Sequence, residues 1–312
     1  MPNSDDKYSL GKIFRNLGQA TGTKEKSEQK EQILEEVKPE DLIKKGSEAV
    51  QPKRRYDNVV SGQNAQRFAE IDLTTQKPKD VIERVPTGIE GLDELIEGGF
   101  EKGSVVLLAG APGTGKTIFA LQFLYHGITA LNEPGIYITF EEGKETLLRH
   151  ALVFGWDFKK LESQNLFRVL EYKPHQVEKL MKEGGGPIKD TINEIKAKRL
   201  VVDSITSYAL LFHDEYVKRQ SILEFFDLLH NWGTTNIIIS EAPVDTHLTK
   251  SDSPGFLSDA IIALYYTKSS EKSARIHCCE ILKMRGTRHT NRILAFGFEE
   301  KGIKVYPDVE VF

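Results

Sequence analysis

Short apolar runs alternate with longer amphipathic stretches from about residue 81 onward. This is the pattern of a parallel β-sheet covered by helices on both faces. Strands buried on both faces consist of continuous aliphatic and β-branched residues rather than of alternating apolar and polar ones. The runs that meet this description predict strands at 104–109, 136–140, 200–202 and 236–240. The chain is therefore predicted to have an α/β fold.

Helical periodicity occupies the segments between these strands. Gly155 and Gly233 follow two of the segments and are typical helix ends, and Pro187 is a typical helix start. The helices are predicted at 118–131, 146–154, from about 187 to 195, and 215–232.

Apolar residues on one face of each predicted helix should be buried. The spacing assigns to the buried faces Leu148, Ala151 and Leu152 in the second helix, Ile188, Ile192 and Ile195 in the third, and Leu223, Phe226 and Leu229 in the last.

The C-terminal part of the chain has a different pattern. Its strand-like runs follow one another with only short polar turns between them, too short for helical crossovers. These runs lie at 260–266, 275–283, 292–298 and 303–306. We therefore expect antiparallel strands at this end of a mostly parallel sheet.

Composition separates residues 1–80 from residues 81–312. The first segment contains 15 Phe, Ile, Leu or Val residues, about a fifth of its length, which is near the level associated with disorder. Its charges nearly balance. We interpret it as a partly helical extension that docks on the catalytic domain, on a neighbouring subunit or on another protein; a largely solvated tail is the alternative. Residues 81–312 form the predicted α/β domain.

The remaining composition narrows the protein class. No run approaches the roughly 18 apolar residues of a membrane span, and no export signal is evident at the N-terminus, so we expect a cytoplasmic protein without membrane insertion. The adjacent Cys278 and Cys279 lie in a strand-like run and are interpreted as packing residues. A formal charge of −4 argues against a dedicated nucleic-acid binder.

A glycine-rich loop supplies the first candidate chemistry. The pattern G-x-x-x-x-G-K-T between a buried strand and a helix is that of a phosphate-binding P-loop, in which backbone N–H groups and the helix dipole attract phosphate. Lys116 is expected to reach the β- and γ-phosphates of ATP, and the Thr117 hydroxyl to hold Mg²⁺. The alternative is a glycine-rich turn with an incidental Lys-Thr pair. The predicted nucleotide-binding residues are Gly110, Ala111, Pro112, Gly113, Thr114, Gly115, Lys116, Thr117 and Ile118.

Acidic residues follow two of the predicted strands directly. Asp203 ends the run 200–202 and is the candidate Walker-B acid for Mg²⁺; a helix N-cap is the alternative role. Glu141 and Glu142 follow the run 136–140, where a carboxylate could orient the water that attacks the γ-phosphate. Because neighbouring side chains at a strand end diverge, only one of the two glutamates should face that water. The sequence leaves open which one, and also leaves open that both are solvated.

These segments together resemble the KaiC-like branch of the RecA-type ATPases. The resemblance runs from Val85 to about Phe298 and rests on five segments in the family order: 86–93 with the following Gly-Gly, the P-loop, 139–142, 202–204 and 281–289. It implies a RecA-like core, a homo-hexameric ring with ATP between subunits, and catalytic Glu141 and Glu142. It further implies that Lys283 and Arg285 reach the neighbouring subunit's γ-phosphate. Without the resemblance, those two residues would be interpreted as solvated charges at a strand end.

The leading functional hypothesis is a Mg²⁺-dependent, oligomeric ATPase that regulates or remodels a protein partner. A Ser/Thr autokinase is the first alternative, because the polar stretch 246–253 lies where the family's namesake is phosphorylated. A recombinase-like binder of single-stranded DNA is the second. It would need a basic groove with stacking aromatic residues, whereas the candidate loops carry mainly acidic ones.

Overall fold

The computed structural model describes residues 82–241, 254–268, 275–309 and 311, and the fold is given for these residues. The predicted extension 1–80 and the candidate phosphorylation segment 246–253 lie outside them. In the described ranges, no helix has the length and apolar character needed to cross a membrane.

Within the described ranges, eleven strands form one small and one large sheet. The two shortest strands pair with each other in antiparallel fashion. The strands are β1 (Arg84–Val85), β2 (Phe100–Glu101), β3 (Val105–Gly110), β4 (Gly135–Thr139), β5 (Phe167–Glu171), β6 (Arg199–Asp203), β7 (Thr235–Ser240), β8 (Ala260–Lys268), β9 (Arg275–Met284), β10 (Leu294–Glu299) and β11 (Gly302–Tyr306).

The large sheet has the order β11-β10-β9-β8-β3-β7-β6-β4-β5. All neighbours from β8 to β5 are parallel, and all neighbours from β8 to β11 are antiparallel. This arrangement confirms the predicted mostly parallel sheet with an antiparallel C-terminal end. It also means that β3, β4, β6 and β7 all end on the same side of the sheet. We call this side, where the parallel strands have their carboxyl ends, the carboxyl edge, as distinct from an edge strand.

Helices connect the parallel strands. A short 3-10 helix, Asp93–Ile96, precedes them, and the predicted helices are all present within a few residues of their expected bounds. The α-helices are α1 (Lys116–Leu131), α2 (Lys144–Leu152), α3 (Phe158–Ser163), α4 (Pro174–Lys182), α5 (Gly186–Ile195), α6 (Ile205–Ala209), α7 (Glu215–Asn231) and α8 (Pro254–Leu257).

The core has one layer on each face of the sheet, and β3 contributes to both. Val106 and Leu108 pack in one layer with residues of α1, whereas Leu107 packs in the other with residues of α5 and α7. Burial on both faces explains why β3 consists of a continuous apolar run. Cys278 and Cys279 are fully buried free thiols, as expected for packing residues.

Two predicted core residues are on the wrong side of their helices. Leu152, the last residue of α2, is 60% exposed, and Leu223 of α7 is 36% exposed. Leu147 of α2 and Ile222 of α7 are buried instead of them. In both helices the assumed buried face is rotated about the helix axis by less than the roughly 100° that separates consecutive residues. The face of α5 with Ile188, Ile192 and Ile195 is buried as predicted.

Strands β1, β2 and β5 and helices α3, α4, α6 and α8 were not predicted from the sequence. Only the first residue of β5, Phe167, is fully buried, because this strand forms the edge of the sheet. An edge strand has no need of a continuous apolar run, so the feature that identified the central strands is absent from it. Arg168 interrupts the run directly.

A buried arginine joins the sheet to α1. Arg199, the first residue of β6, is completely buried, and its Nε donates to Glu133 Oε2 at 2.7 Å. Its Nη1 donates to the carbonyl oxygens of Pro86 at 2.9 Å and Phe123 at 2.8 Å. A Cβ added at Gly127 of α1 would lie 2.2 Å from Arg199 Nε. The helix can therefore approach this guanidinium only because residue 127 is glycine.

We expect Gly127→Ala to lower the free energy of unfolding by about 1–3 kcal/mol, the usual cost of overpacking a buried site. Gly186→Ala is the matched control. It is also helical, and its added Cβ would meet nothing within 4 Å. Because Pro187 follows and disfavours a helical residue with a Cβ before it, this cost offsets the entropy gain, and the change should stay within about 1 kcal/mol in either direction. Urea unfolding of both variants measures the difference, and equal stabilities would contradict the close packing inferred for Gly127.

Candidate nucleotide site at the carboxyl edge of the sheet

The P-loop connects the end of β3 to the start of α1, as predicted. Gly113 and Gly115 have φ angles of 82° and 96°, a left-handed conformation that favours glycine. Gly110 needs its missing side chain for a different reason, since a Cβ there would lie 2.3 Å from the Leu264 carbonyl oxygen of β8. The glycines therefore let the loop turn closely over the sheet and lead into the N-terminus of α1.

Lys116 is a buried cation in this loop. Its residue is 6% exposed, and its Nζ donates to the Ala111 carbonyl oxygen at 3.0 Å. Burial lowers the pKa of Lys116 below its ordinary value, and the nearby carboxylates of Glu241 and Asp203 offset only part of that effect. The lysine is thus desolvated before any ligand arrives, and a bound polyphosphate would supply the negative charge that favours its ammonium form.

Thr117 and Asp203 come together from α1 and the end of β6. Thr117 Oγ1 lies 3.4 Å from Asp203 Oδ2, which also accepts a hydrogen bond from the Tyr137 hydroxyl at 2.5 Å. Burial raises the pKa of Asp203, and the negative charge of Glu141 adds to this. The following helix has Ser204 as its N-cap, so capping is not the role of Asp203.

The paired oxygens of Thr117 and Asp203 fit Mg²⁺. This ion takes few protein ligands, prefers oxygen, and completes its shell with water and substrate phosphate. Among the described residues no group of three or more His, Cys, Asp or Glu side chains could hold an ion by itself. A hydroxyl and one carboxylate beside a P-loop are therefore the donor set expected for a metal that binds together with a nucleotide.

Glu141 and Glu142 diverge, as expected for neighbours at a strand end. Glu141 Oε1 accepts hydrogen bonds from the hydroxyl groups of Ser207 and, at 3.5 Å, Ser204. Glu142 instead lies against α2, where its Oε1 is 3.1 Å from His150 Nδ1. Of the two glutamates, only Glu142 is among the residues that line the cleft above the P-loop. The charge of Glu141 nevertheless acts on Lys116.

That cleft has a volume of about 370 Å³, within the range of small-ligand sites. A cavity of similar size between α2 and α3 is lined by no P-loop residue, so the chemistry, and not the size, identifies the nucleotide site. The cleft residues are Pro112, Gly113, Gly115, Lys116, Thr117, Ile118, Glu142, His150, Asp203, Glu241 and Phe298.

Three polar residues of the site were not predicted. Glu241 directly follows β7, and the same pattern that identified Asp203, an acid after an apolar strand, could have identified it. Tyr137 lies inside the apolar run of β4 and has the sequence character of a core residue. His150 lies in α2, and nothing in the local sequence connects it with the P-loop. Their contributions arise from tertiary contacts.

Lys283 and Arg285 are not part of the site of their own chain. Val106 and Gly110 of β3 pair with Ala260 and Leu264 of β8, so the P-loop lies at the far end of β8 from Ala260. Met284 pairs with Ala260, which places the end of β9 at the opposite edge of the sheet. Four strand residues separate these levels, about 13 Å.

Both cations have partners within the chain at that opposite edge. Lys283 Nζ donates to the carbonyl oxygens of Gly255, Phe256 and Ser258. Arg285 Nη2 donates to the Phe256 carbonyl oxygen at 3.3 Å, and its Nη1 is 3.5 Å from Asp259 Oδ1. Neither side chain is simply solvated, which was the alternative considered for them.

Comparisons with known proteins show the family. The family model of the KaiC ATPases matches residues 85–310. The circadian clock oscillator protein KaiC of Prochlorococcus marinus is 35% identical over 237 residues, which cover 72% of this chain and 45% of that protein. A UPF0273 protein of Pyrococcus furiosus is 35% identical over 241 residues, covering 73% of this chain and 96% of that protein. The chain thus spans less than half the length of the clock protein.

A solved structure agrees with the fold as well. The crystal structure of a KaiC-like protein from Pyrococcus horikoshii is 37% identical, with a TM-score of 0.64. The match covers 73% of this chain and 100% of that one. The match therefore extends over the whole chain of that structure.

We expect Lys116→Met to leave the ligand-free protein at least as stable as the wild type. The charged form of Lys116 is disfavoured in the fold, since its pKa is lowered, and methionine removes that charge with little change in shape. The same variant should lose the rise in melting temperature that Mg²⁺ and ATP produce. Thermal unfolding with and without nucleotide measures both effects. Lys102→Met, at an exposed lysine paired with Glu83, should retain the nucleotide-dependent rise.

Proposed function

Because the chain belongs to the KaiC family of ATPases, we propose that it binds ATP with Mg²⁺ at the P-loop and hydrolyses it within an oligomer. The observation that carries this proposal is the meeting of Lys116, Thr117, Asp203 and Glu142 at one cleft. These residues come from the start of α1, the end of β6 and the loop after β4, which all lie at the same edge of the sheet. Together they offer groups for phosphate, metal and water, the three components that hydrolysis must position.

The binding roles follow from position. The N–H groups at the start of α1 and the Lys116 ammonium would attract the phosphates. Thr117 and Asp203 would hold Mg²⁺, which when bound neutralises charge on the phosphate oxygens. Phe298 lies close to Gly115 and gives the cleft an apolar wall, which suits a nucleotide base. ATP, and not a simple phosphate, is the proposed ligand because the chain belongs to a family of ATPases and the cleft volume of about 370 Å³ leaves room for more than a phosphate.

We assign the water-orienting role to Glu142. Glu142 lines the cleft, whereas the Glu141 carboxylate accepts hydrogen bonds from Ser204, which directly follows β6, and from Ser207 of α6. Glu141 therefore would support the wall of the site, and its charge acts on Asp203 and on Lys116. Of the two glutamates predicted to be catalytic, Glu142 would therefore orient the water and Glu141 would support the site.

We expect Glu142→Gln to bind ATP as tightly as the wild type and to hydrolyse it at least about 100-fold more slowly, the usual cost of losing a general base. Glu141→Gln should lose less, and the double variant should be no slower than Glu142→Gln alone. Glu145→Gln, an exposed neighbour, is the control. Phosphate release gives the rates, and the nucleotide-dependent melting temperature reports binding. Wild-type hydrolysis by the double variant would overturn the assignment.

The opposite location of Lys283 and Arg285 supports an in-trans role. At the edge away from their own P-loop, they are unable to stabilise charge on their own chain's nucleotide. A ring, which we propose to be a hexamer, would bring this edge of one subunit to the P-loop edge of the next. Heterologous contacts of this kind close into rings. Both cations would then complete the neighbouring site as arginine fingers do.

Mixing two inactive variants tests this arrangement. Lys116→Met and Arg285→Ala subunits should each have little activity alone, whereas an equal mixture should regain up to about a quarter of the wild-type rate, since random assembly leaves about a quarter of the interfaces intact. Size-exclusion chromatography should show ATP-dependent assembly. Full activity of an obligate monomer would exclude the in-trans role.

The proposed ATPase would regulate a protein partner through its nucleotide state, and we place it in the cytoplasm. Neither alternative function has an observation in its favour. The segment 246–253, on which the autokinase hypothesis depends, lies outside the described residues. So does most of the loop after β7 that a DNA-binding role would use, and the described loop from Leu210 to Asp214 carries no basic residue apart from His213.

A further inference from the structure

One contact in the cleft has no part in the roles assigned above: the pair of Glu142 and His150. His150 is the seventh residue of α2 and lies near the end of that helix. The helix returns the chain to the cleft, and His150 Nδ1 lies 3.1 Å from Glu142 Oε1. Both side chains line the same cleft as Lys116 and Asp203. The imidazole therefore contacts the carboxylate that we assign to the attacking water.

The backbones on both sides of this contact are held by buried groups. Thr139 Oγ1 donates to the Glu142 carbonyl oxygen at 2.8 Å and accepts from the Glu142 N–H at 3.1 Å. Helix α2 is anchored by the buried Leu147, Leu148 and Ala151. The two side chains themselves are partly exposed, 29% for Glu142 and 47% for His150. Among the described residues, the 3.1 Å contact with His150 Nδ1 is thus what restricts the Glu142 carboxylate.

We propose that His150 is a positioning residue for Glu142. This inference rests on the proposed ATPase function. A glutamate has several freely rotating bonds, and a base must lie within hydrogen-bond reach of the water that it activates. With Oε1 held beside His150 Nδ1, the carboxylate is restricted to one orientation and Oε2 is left to accept from water. A third group that orients the base is a recurrent feature of catalytic sites.

Glu141 provides the contrast. Its Oε1 accepts from two serine hydroxyls on another loop, so its orientation has its own support. Among the described residues, the Glu142 side chain has a polar contact only with His150. Removal of the imidazole should therefore release Glu142 and leave Glu141 in place.

Three substitutions at position 150 test the role of the Nδ1–H group. The amide nitrogen of asparagine lies at about the same distance from the backbone as Nδ1, whereas that of glutamine reaches about as far as Nε2. We expect His150→Ala to lower kcat by about tenfold or more, the scale of a misplaced catalytic group, with ATP binding unchanged. His150→Asn should recover most of the rate, and His150→Gln should not. Arg149→Ala, at the adjacent exposed position of α2, is the matched control and should retain the wild-type rate.

A second comparison tests whether His150 acts through Glu142. In the Glu142→Gln background, His150→Ala should cause no further loss of rate, because the carboxylate that it positions is gone. A wild-type kcat for His150→Ala, equal losses for the Ala and Asn variants, or additive losses in the double variant would each overturn the inference. The nucleotide-dependent melting temperature verifies that every variant folds and binds ATP.

The same set separates this inference from the proposed function. If the wild type releases no phosphate from ATP, the proposed function fails and the inference fails with it. If the wild type is active and Glu142→Gln hydrolyses ATP at the wild-type rate, the ATPase function stands, but the assignment of Glu142 fails and the inference fails with it. If Glu142→Gln is slow while His150→Ala is normal, the inference alone fails.

Discussion

The site depends on one geometric constraint, that parallel strands end at a common edge. Strands β3, β4, β6 and β7 are neighbours in this part of the sheet and run in the same direction. Each is followed by a residue or loop with functional chemistry, although these lie far apart in the chain. The sheet itself is stabilised by apolar burial on both faces, and the N–H and C=O groups within it are paired. The loops are thus free to carry groups that do not favour folding.

Such groups are concentrated at this edge. Lys116 is desolvated, and its pKa is lowered. Asp203 is also desolvated, with a raised pKa, and receives a hydrogen bond from the buried Tyr137. Each is therefore less favourable in its charged form here than in water. A phosphate beside Lys116 would favour the charged lysine, and a cation beside Asp203 would favour the charged aspartate. The proposed Mg²⁺ and ATP would therefore relieve the unfavourable desolvation of both side chains.

The other edge of the sheet has a complementary property. The antiparallel strand β9 carries Lys283 and Arg285 away from the P-loop, to a place where backbone carbonyl oxygens and Asp259 hold them. One chain thus presents a phosphate site at one edge and two cations at the other. This separation gives a physical reason for the proposed assembly, since only a second copy can bring the two edges together.

The local sequence determined those features that depend on neighbouring residues: the P-loop, the central strands, the helix face with Ile188 and Ile192, and Asp203 after β6. Each has a steric or periodic signature within a few residues. Edge strand β5 lacks that signature because it is buried at only one end. The exposure of Leu152 and Leu223 depends on how far each helix is rotated about its own axis, which the apolar periodicity defines only loosely. Only the tertiary structure decided that Glu142, and not Glu141, faces the cleft, and that His150 meets it. Those contacts join separate elements, and their geometry is set by how α2 packs on the sheet.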